Sequence, residues 1–289
     1  MHELIQALLK QAPVITDGAW GTQLQARGLP VGVPPDPWNL ERPEQVAEVA
    51  RGYVEAGSRI ILTNTFGANR VLLERHGLAA RVAAINSAGA RLSVEAAAGS
   101  ARVFASVGPT GKMVAMGEID ADELRACFAE QVEALAAGGV DGFVIETMSD
   151  VEEAVAAVSA AAATGLPVVA SMSYGSGKSG DRTIMGITPE QAAEALLAAG
   201  ADIVGANCGQ GPDTMVPIVE RLRAASGRPV WAKPNAGLPR IVDGAAVYDQ
   251  TPQVFAEGAR ALVDAGAGFI GGCCGTGPAF IRALVSMRS

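Results

Sequence analysis

At 289 residues, with 49% apolar side chains but only 4% aromatic ones, the chain is long enough for a large core built mainly from Ala, Val, Leu and Ile. A net charge of −8 with no basic run excludes a nucleic-acid backbone as the natural partner. Four cysteines in so long a chain do not make a disulfide scaffold, which points to free thiols in a cytoplasmic setting, available for a metal or for catalysis.

In chain order, residues 1–10 form a short amphipathic helix without the basic start and apolar run of a signal peptide. No apolar run approaches the roughly 18 residues that a membrane span needs. From there one pattern repeats: a β-branched run, a loop of Gly, Asn, Thr or Pro, then an Ala/Leu/Glu-rich helix. Strands are predicted at 14–17, 59–65, 102–107, 142–146, 167–173, 203–207, 229–233 and 268–272. Helices are predicted at 43–56, 81–98, 122–137, 150–163, 189–199, 212–225, 251–265 and 278–287. Ser149-Asp150 and Thr188-Pro189-Glu190-Gln191 are N-terminal capping signals, and Gly57, Gly139, Gly200 and Gly266 stand where left-handed C-caps belong.

Eight strand–helix units predict an α/β protein with a parallel sheet closed into a single (β/α)8 TIM barrel spanning 1–289. The turn after the first strand, Asp17-Gly18-Ala19-Trp20-Gly21-Thr22, lacks the glycine spacing of a dinucleotide fold. Chemistry in such a barrel gathers at the C-terminal strand ends. Those ends carry Asp17-Gly18, Asn64-Thr65, Glu146-Thr147, Asn207-Cys208, Lys233-Pro234-Asn235 and Cys273-Cys274. The sixth and eighth strands thus bring Cys208, Cys273 and Cys274 to one mouth, a set suited to tetrahedral zinc with one position open. Flanking Gly271, Gly272 and Gly275 permit the turn that lets adjacent cysteines face one ion. Asn235 is a candidate weak oxygen ligand for the open position. Spacing alone leaves another reading open, in which these thiols are small buried hydrophobes, and Cys127 on a helix is expected to be one. A thiol with a pKa near ~8.5 is mostly protonated at neutral pH, and zinc would deliver it as a thiolate.

These residues, with Thr63-Asn64-Thr65-Phe66, Gly108-Pro109-Thr110-Gly111, Ile145-Glu146-Thr147, Gly205-Ala206-Asn207-Cys208, the run from Pro234 to Pro239 and Gly271-Gly272-Cys273-Cys274-Gly275-Thr276, resemble the homocysteine S-methyltransferase family along nearly the whole chain. The resemblance implies a zinc-dependent methyltransferase that converts homocysteine to methionine, with Cys208, Cys273 and Cys274 holding zinc. It implies that Asp17, Gly18 and Glu146 hold the amino-acid portion, Glu146 pairing with its ammonium. Asn64, Thr65 and Asn207 become candidates for substrate hydrogen bonds, as well as for loop scaffolding.

For the donor, betaine-using relatives place tyrosines where this chain has Gly67 and Thr147, which argues against a betaine cage, although Trp20 and Trp38 could line a donor pocket. The motifs lie nearest the homocysteine module of cobalamin-dependent methionine synthase, which favours methylcobalamin carried by a partner corrinoid protein; S-methylmethionine is the alternative. A zinc aldolase-type barrel would leave the cysteines in its phosphate loop unexplained. A zinc staple would need a fourth ligand, and His2 and His76 are badly placed for it.

Overall fold

The computed structural model describes residues 1–242 and 245–287. Short parallel strands alternate with helices: β1 (Val14–Ile15), β2 (Ile60–Leu62), β3 (Arg102–Val107), β4 (Gly142–Met148), β5 (Val168–Met172), β6 (Ile203–Cys208), β7 (Val230–Pro234) and, after an antiparallel hairpin of β8 (Arg240–Val242) and β9 (Ala245–Val247), β10 (Ala267–Ile270). The sheet runs β1-β10-β7-β6-β5-β4-β3-β2. A parallel bridge between Thr16 and Ile60, with Arg59 N–H donating to the Ile15 carbonyl at 2.7 Å, joins its two edges and closes the barrel.

Around it stand α2 (Gly21–Gln25), α3 (Trp38–Glu41), α4 (Pro43–Glu55), α5 (Arg70–Glu74), α6 (Val82–Ala97), α7 (Ala121–Ala137), α8 (Val151–Ala162), α9 (Pro189–Ala198), α10 (Pro212–Ser226), α11 (Pro252–Asp264) and α12 (Pro278–Ser286), preceded by α1 (Glu3–Leu9). The expected caps form: Asp150 accepts from Glu152 N–H, Thr188 and Gln191 make a reciprocal capping box, and the predicted C-cap glycines all have positive φ. Among the described residues no helix is long and apolar enough to cross a membrane.

Strand parity divides the core. Ile61, Val103, Ala105, Phe143, Ile145, Ala170 and Val204 face outward under the helices. Val14, Ile60, Leu62, Phe104, Val144, Val169, Ile203, Trp231 and Phe269, at least one from every barrel strand, form the interior layer. Ile5 of α1 packs into that layer with Leu4, Leu8 and Leu9 beside it, so the N-terminal helix plugs the barrel floor. Ile5→Ala is therefore expected to cost about 2–5 kcal/mol in a urea melt, although it lies far from any chemistry. Two residues further along the strands the same parity gives Thr16, Ser106, Glu146, Ser171, Gly205, Lys233 and Gly271, and then Asn207. Above an apolar floor the interior thus turns small and polar, all of it at the C-terminal mouth.

Candidate metal centre and active site

β6 ends at Cys208, which has φ +64°, and β10 runs into the Cys273-Cys274 turn. The Sγ atoms of Cys208, Cys273 and Cys274 all lie within 4.8 Å of one another, with Cys208 and Cys273 3.1 Å apart. Among the described residues no other group of three or more His, Cys, Asp or Glu side chains is so gathered. Tetrahedral zinc at about 2.3 Å from sulfur needs neighbouring sulfurs about 3.8 Å apart, so the three thiols are the right donors for one ion held on three sides, with Cys208 and Cys273 parting from 3.1 Å to receive it.

β7, lying between β6 and β10, fixes this cluster through its exit. Cys273 N–H donates to the Pro234 carbonyl (2.8 Å), Ala236 N–H to that of Cys274 (3.0 Å), and Asn235 N–H to that of Cys208 (3.3 Å). The glycines act differently from expectation. Only Gly275 (φ +81°) supplies the left-handed turn, and a Cβ there would sit 2.2 Å from Tyr248 Cγ. Gly271 and Gly272 instead allow close approach, since a Cβ would meet Thr16 Oγ1 at 2.0 Å or Thr276 Oγ1 at 2.4 Å.

The thiols share charge unequally. Hydrogen bonds from Cys208 and Cys273, with a further one from Tyr248, draw Cys274 down to about 3, whereas donating to Cys273 and Cys274 raises Cys208 well above the thiol range. Below lies a buried ion pair, Lys233 Nζ donating to Asp17 Oδ1 at 2.5 Å. Burial alone would lower Lys233, but Asp17 and Glu146 outweigh it and raise its pKa. Glu146, accepting from Ser106 Oγ at 2.5 Å, is pushed up to about 7 by burial, against the pull of Lys233. Lys233→Met would leave Asp17 buried without its cation, an expected loss of about 3–5 kcal/mol. Adding Asp17→Asn should restore much of that stability, a recovery that paired urea melts would show.

The other predicted residues divide into two groups. Asp17 is fully enclosed, its carboxylate taking Leu62 N–H (2.7 Å), Trp20 Nε1–H (2.9 Å) and Lys233. Gly18 is packed under Thr276 and Tyr53, where a Cβ would meet both hydroxyls within 3 Å. Asn64 donates to the Pro35 carbonyl (2.9 Å) and to Asn39 Oδ1 (3.0 Å), and Thr65 Oγ1 to the Ser106 carbonyl (2.8 Å), so both side chains tie loops together. Asn235 donates to the Gly209 carbonyl (2.6 Å), and its Oδ1 accepts from Cys274 N–H (3.0 Å), so the oxygen expected at the open metal position braces the cysteine turn. Asn207 binds Thr147, Ser171 and Cys208. Trp20 points down onto Asp17, Trp38 packs against the outer core, and Cys127 is buried within that core. Lys233, Ser106, Thr147 and Tyr248 are site residues that the sequence pattern does not single out. Parity with Trp231 was the available signal for Lys233, whereas Tyr248 arrives through tertiary structure alone.

Comparison with known proteins agrees with this geometry. Residues 14–287 match the family model described as homocysteine S-methyltransferase. The chain is 31% identical to methionine synthase of Mycobacterium tuberculosis, covering 96% of this chain but 25% of that protein, so it spans about a quarter of the methionine synthases it matches. It is 32% identical to betaine–homocysteine S-methyltransferase 1 of Danio rerio, over 96% of this chain and 73% of that one. The metallated form of the homocysteine methyltransferase MmuM from Escherichia coli superposes with a TM-score of 0.82 at 26% identity, over 99% of both chains. The oxidized form of the same enzyme also gives 0.82, at 25% identity over the full length of both. The chain belongs to the homocysteine S-methyltransferase family.

Proposed function

We propose that this chain methylates the thiol of homocysteine, giving methionine, at a zinc ion held by Cys208, Cys273 and Cys274. The observation that carries this reading is the mouth itself: three convergent thiols with no fourth Cys, His, Asp or Glu ligand among the described residues, above an inward carboxylate at Glu146. The open coordination position suits a substrate sulfur, and bound zinc would supply a thiolate at neutral pH. The rest falls to the chain. Glu146 would receive the substrate ammonium, and Lys233 favours its ionised form. The apolar layer of Trp231, Phe104 and Val144 closes the barrel beneath and excludes water from below. Transfer forms the new sulfur–carbon bond as the methyl–donor bond breaks, its electron pair leaving with the donor.

For the donor we infer a methylated corrinoid such as methylcobalamin, delivered over the mouth by a corrinoid-carrying domain, on a partner protein or on the same polypeptide. Apart from Met1 and Val254, the exposed large apolar side chains among the described residues all lie in the connections between a barrel strand and the long helix that follows it: Val31, Val33, Phe66, Met113, Met116, Ile184, Met185, Leu238 and Val247. Apolar side chains exposed on these connections suit the docking of a macromolecule better than that of a small polar donor. A betaine cage has little support, because the Gly67 position is backed by Asp36: Gly67 N–H donates to Asp36 Oδ1 at 2.9 Å, and a Cβ there would sit 3.0 Å from Oδ2. S-methylmethionine is the second reading, since a small sulfonium donor needs no docking protein. A donor screen on the zinc-loaded protein with homocysteine decides among them. Methionine formed with methylcobalamin or a methylated corrinoid protein, and not with S-methylmethionine or betaine, is the expected outcome; methionine from S-methylmethionine alone would overturn the donor assignment.

A further inference from the structure

β4 does not run straight to its end: its register with β5 shifts between Ile145 and Met148, around Glu146 and Thr147. At that point Thr147 takes φ +62°, a left-handed conformation that a β-branched residue holds only when its surroundings impose it. The surroundings are the carboxamide of Asn207, which is 1% exposed. Its Oδ1 accepts from Thr147 N–H at 2.9 Å and from Ser171 Oγ at 2.7 Å, while its Nδ2 donates to Thr147 Oγ1 at 2.7 Å and to Cys208 Sγ at 3.5 Å. Cys208, one residue on, is itself left-handed at φ +64°. One side chain thus spans from β6 across β5 to β4. It holds the residue after Glu146 on one side and a thiol of the metal set on the other.

Resting on the reading above, we propose that Thr147 and Asn207 form a positioning clamp, locking the amino-acid anchor Glu146 and the metal ligand Cys208 into one rigid unit. The bend at Thr147 aims Glu146 into the mouth, and the reciprocal pair of hydrogen bonds keeps the bend from relaxing. Because the same carboxamide touches Cys208, loosening Thr147 also loosens the metal site.

The test pairs Thr147→Gly with Thr147→Ser. Glycine accepts positive φ without strain but lacks the hydroxyl; serine keeps the hydroxyl and loses only the methyl group. Thr147→Gly should melt at the same temperature as the parent or higher, yet bind zinc roughly 10-fold more weakly in a chelator competition, the scale usual for lost outer-shell contacts. Its KM for homocysteine should rise more than its kcat falls, and Thr147→Ser should recover most of both losses. Zinc affinity unchanged in Thr147→Gly would overturn the clamp, as would an equal loss in Thr147→Ser. The zinc arm needs no turnover, so it tests the clamp even if homocysteine proves not to be the substrate. Absence of methylation in the unaltered protein would instead count against the functional reading alone.

Discussion

Serine at Cys208, Cys273 or Cys274 is expected to reduce bound zinc to well below one ion per chain and to lower thiol methylation by at least ~10³-fold, the scale set by removing a group on which the chemistry depends. The three sulfurs sit within 4.8 Å of one another, so no single one is a spectator. Because backbone hydrogen bonds from β7 hold both cysteine loops, each variant should keep its secondary structure, and circular dichroism should separate metal loss from unfolding. Stripping the metal exposes the same logic without mutation. Cys274 is the thiol most inclined to ionise, so the metal-free protein should react rapidly with an alkylating reagent, and that reactivity should disappear on reloading with zinc. Unchanged zinc content in Cys208→Ser would remove the metal centre as described.

Glu146→Gln should have a two-sided effect. Substrate binding loses its buried carboxylate, and KM for homocysteine is expected to rise on the order of 100-fold. The substrate-free fold should gain. Burial raises Glu146 to about 7 from an ordinary 4.5, so the native state disfavours its ionised form. That stability is fully present below about pH 4.5 and is lost as pH rises through 7, which amounts to about 3 kcal/mol at alkaline pH. Glu146→Gln should therefore melt higher than the parent at pH 8 and show little difference at pH 4.5. In the parent, homocysteine affinity should weaken as pH falls below about 7 and the carboxylate protonates; this limb should be missing in the glutamine variant. A lower melting temperature for Glu146→Gln at pH 8 would show that the ionised carboxylate is a net support of the fold.

The barrel was legible because its periodicities are local. Residues 102–107, where Arg102 leads into the buried run Val-Phe-Ala-Ser-Val, form β3 over the same span. Disagreement falls where side chains compete with the ladder. The strand expected at 14–17 stops at Ile15 as β1, while the Asp17 carboxylate takes Leu62 N–H at the end of β2. The hairpin β8–β9 has a sequence signal in Asp243-Gly244 between short apolar runs, whereas the approach of Tyr248 to Gly275 has none.

The cysteine set could be read because strand ends converge in any closed barrel, but its second layer could not. Asn64, Thr65, Asn207 and Asn235 stand at strand ends like ligands of substrate or metal, and composition cannot tell a residue facing the mouth from one tying two loops together. The structure ties Asn64 to Pro35 and Asn235 to Cys274, contacts that no local pattern announces. Lys233 was legible in principle, for a lysine two residues after a buried tryptophan on a barrel strand must share its inward face.

X-ray absorption at the zinc edge of the loaded protein, before and after homocysteine is added, tests the central claim most directly. Three sulfurs near 2.3 Å rising to four is the predicted result, placing the substrate thiol on the ion held by Cys208, Cys273 and Cys274. A sulfur count that stays at three with saturating homocysteine would contradict it.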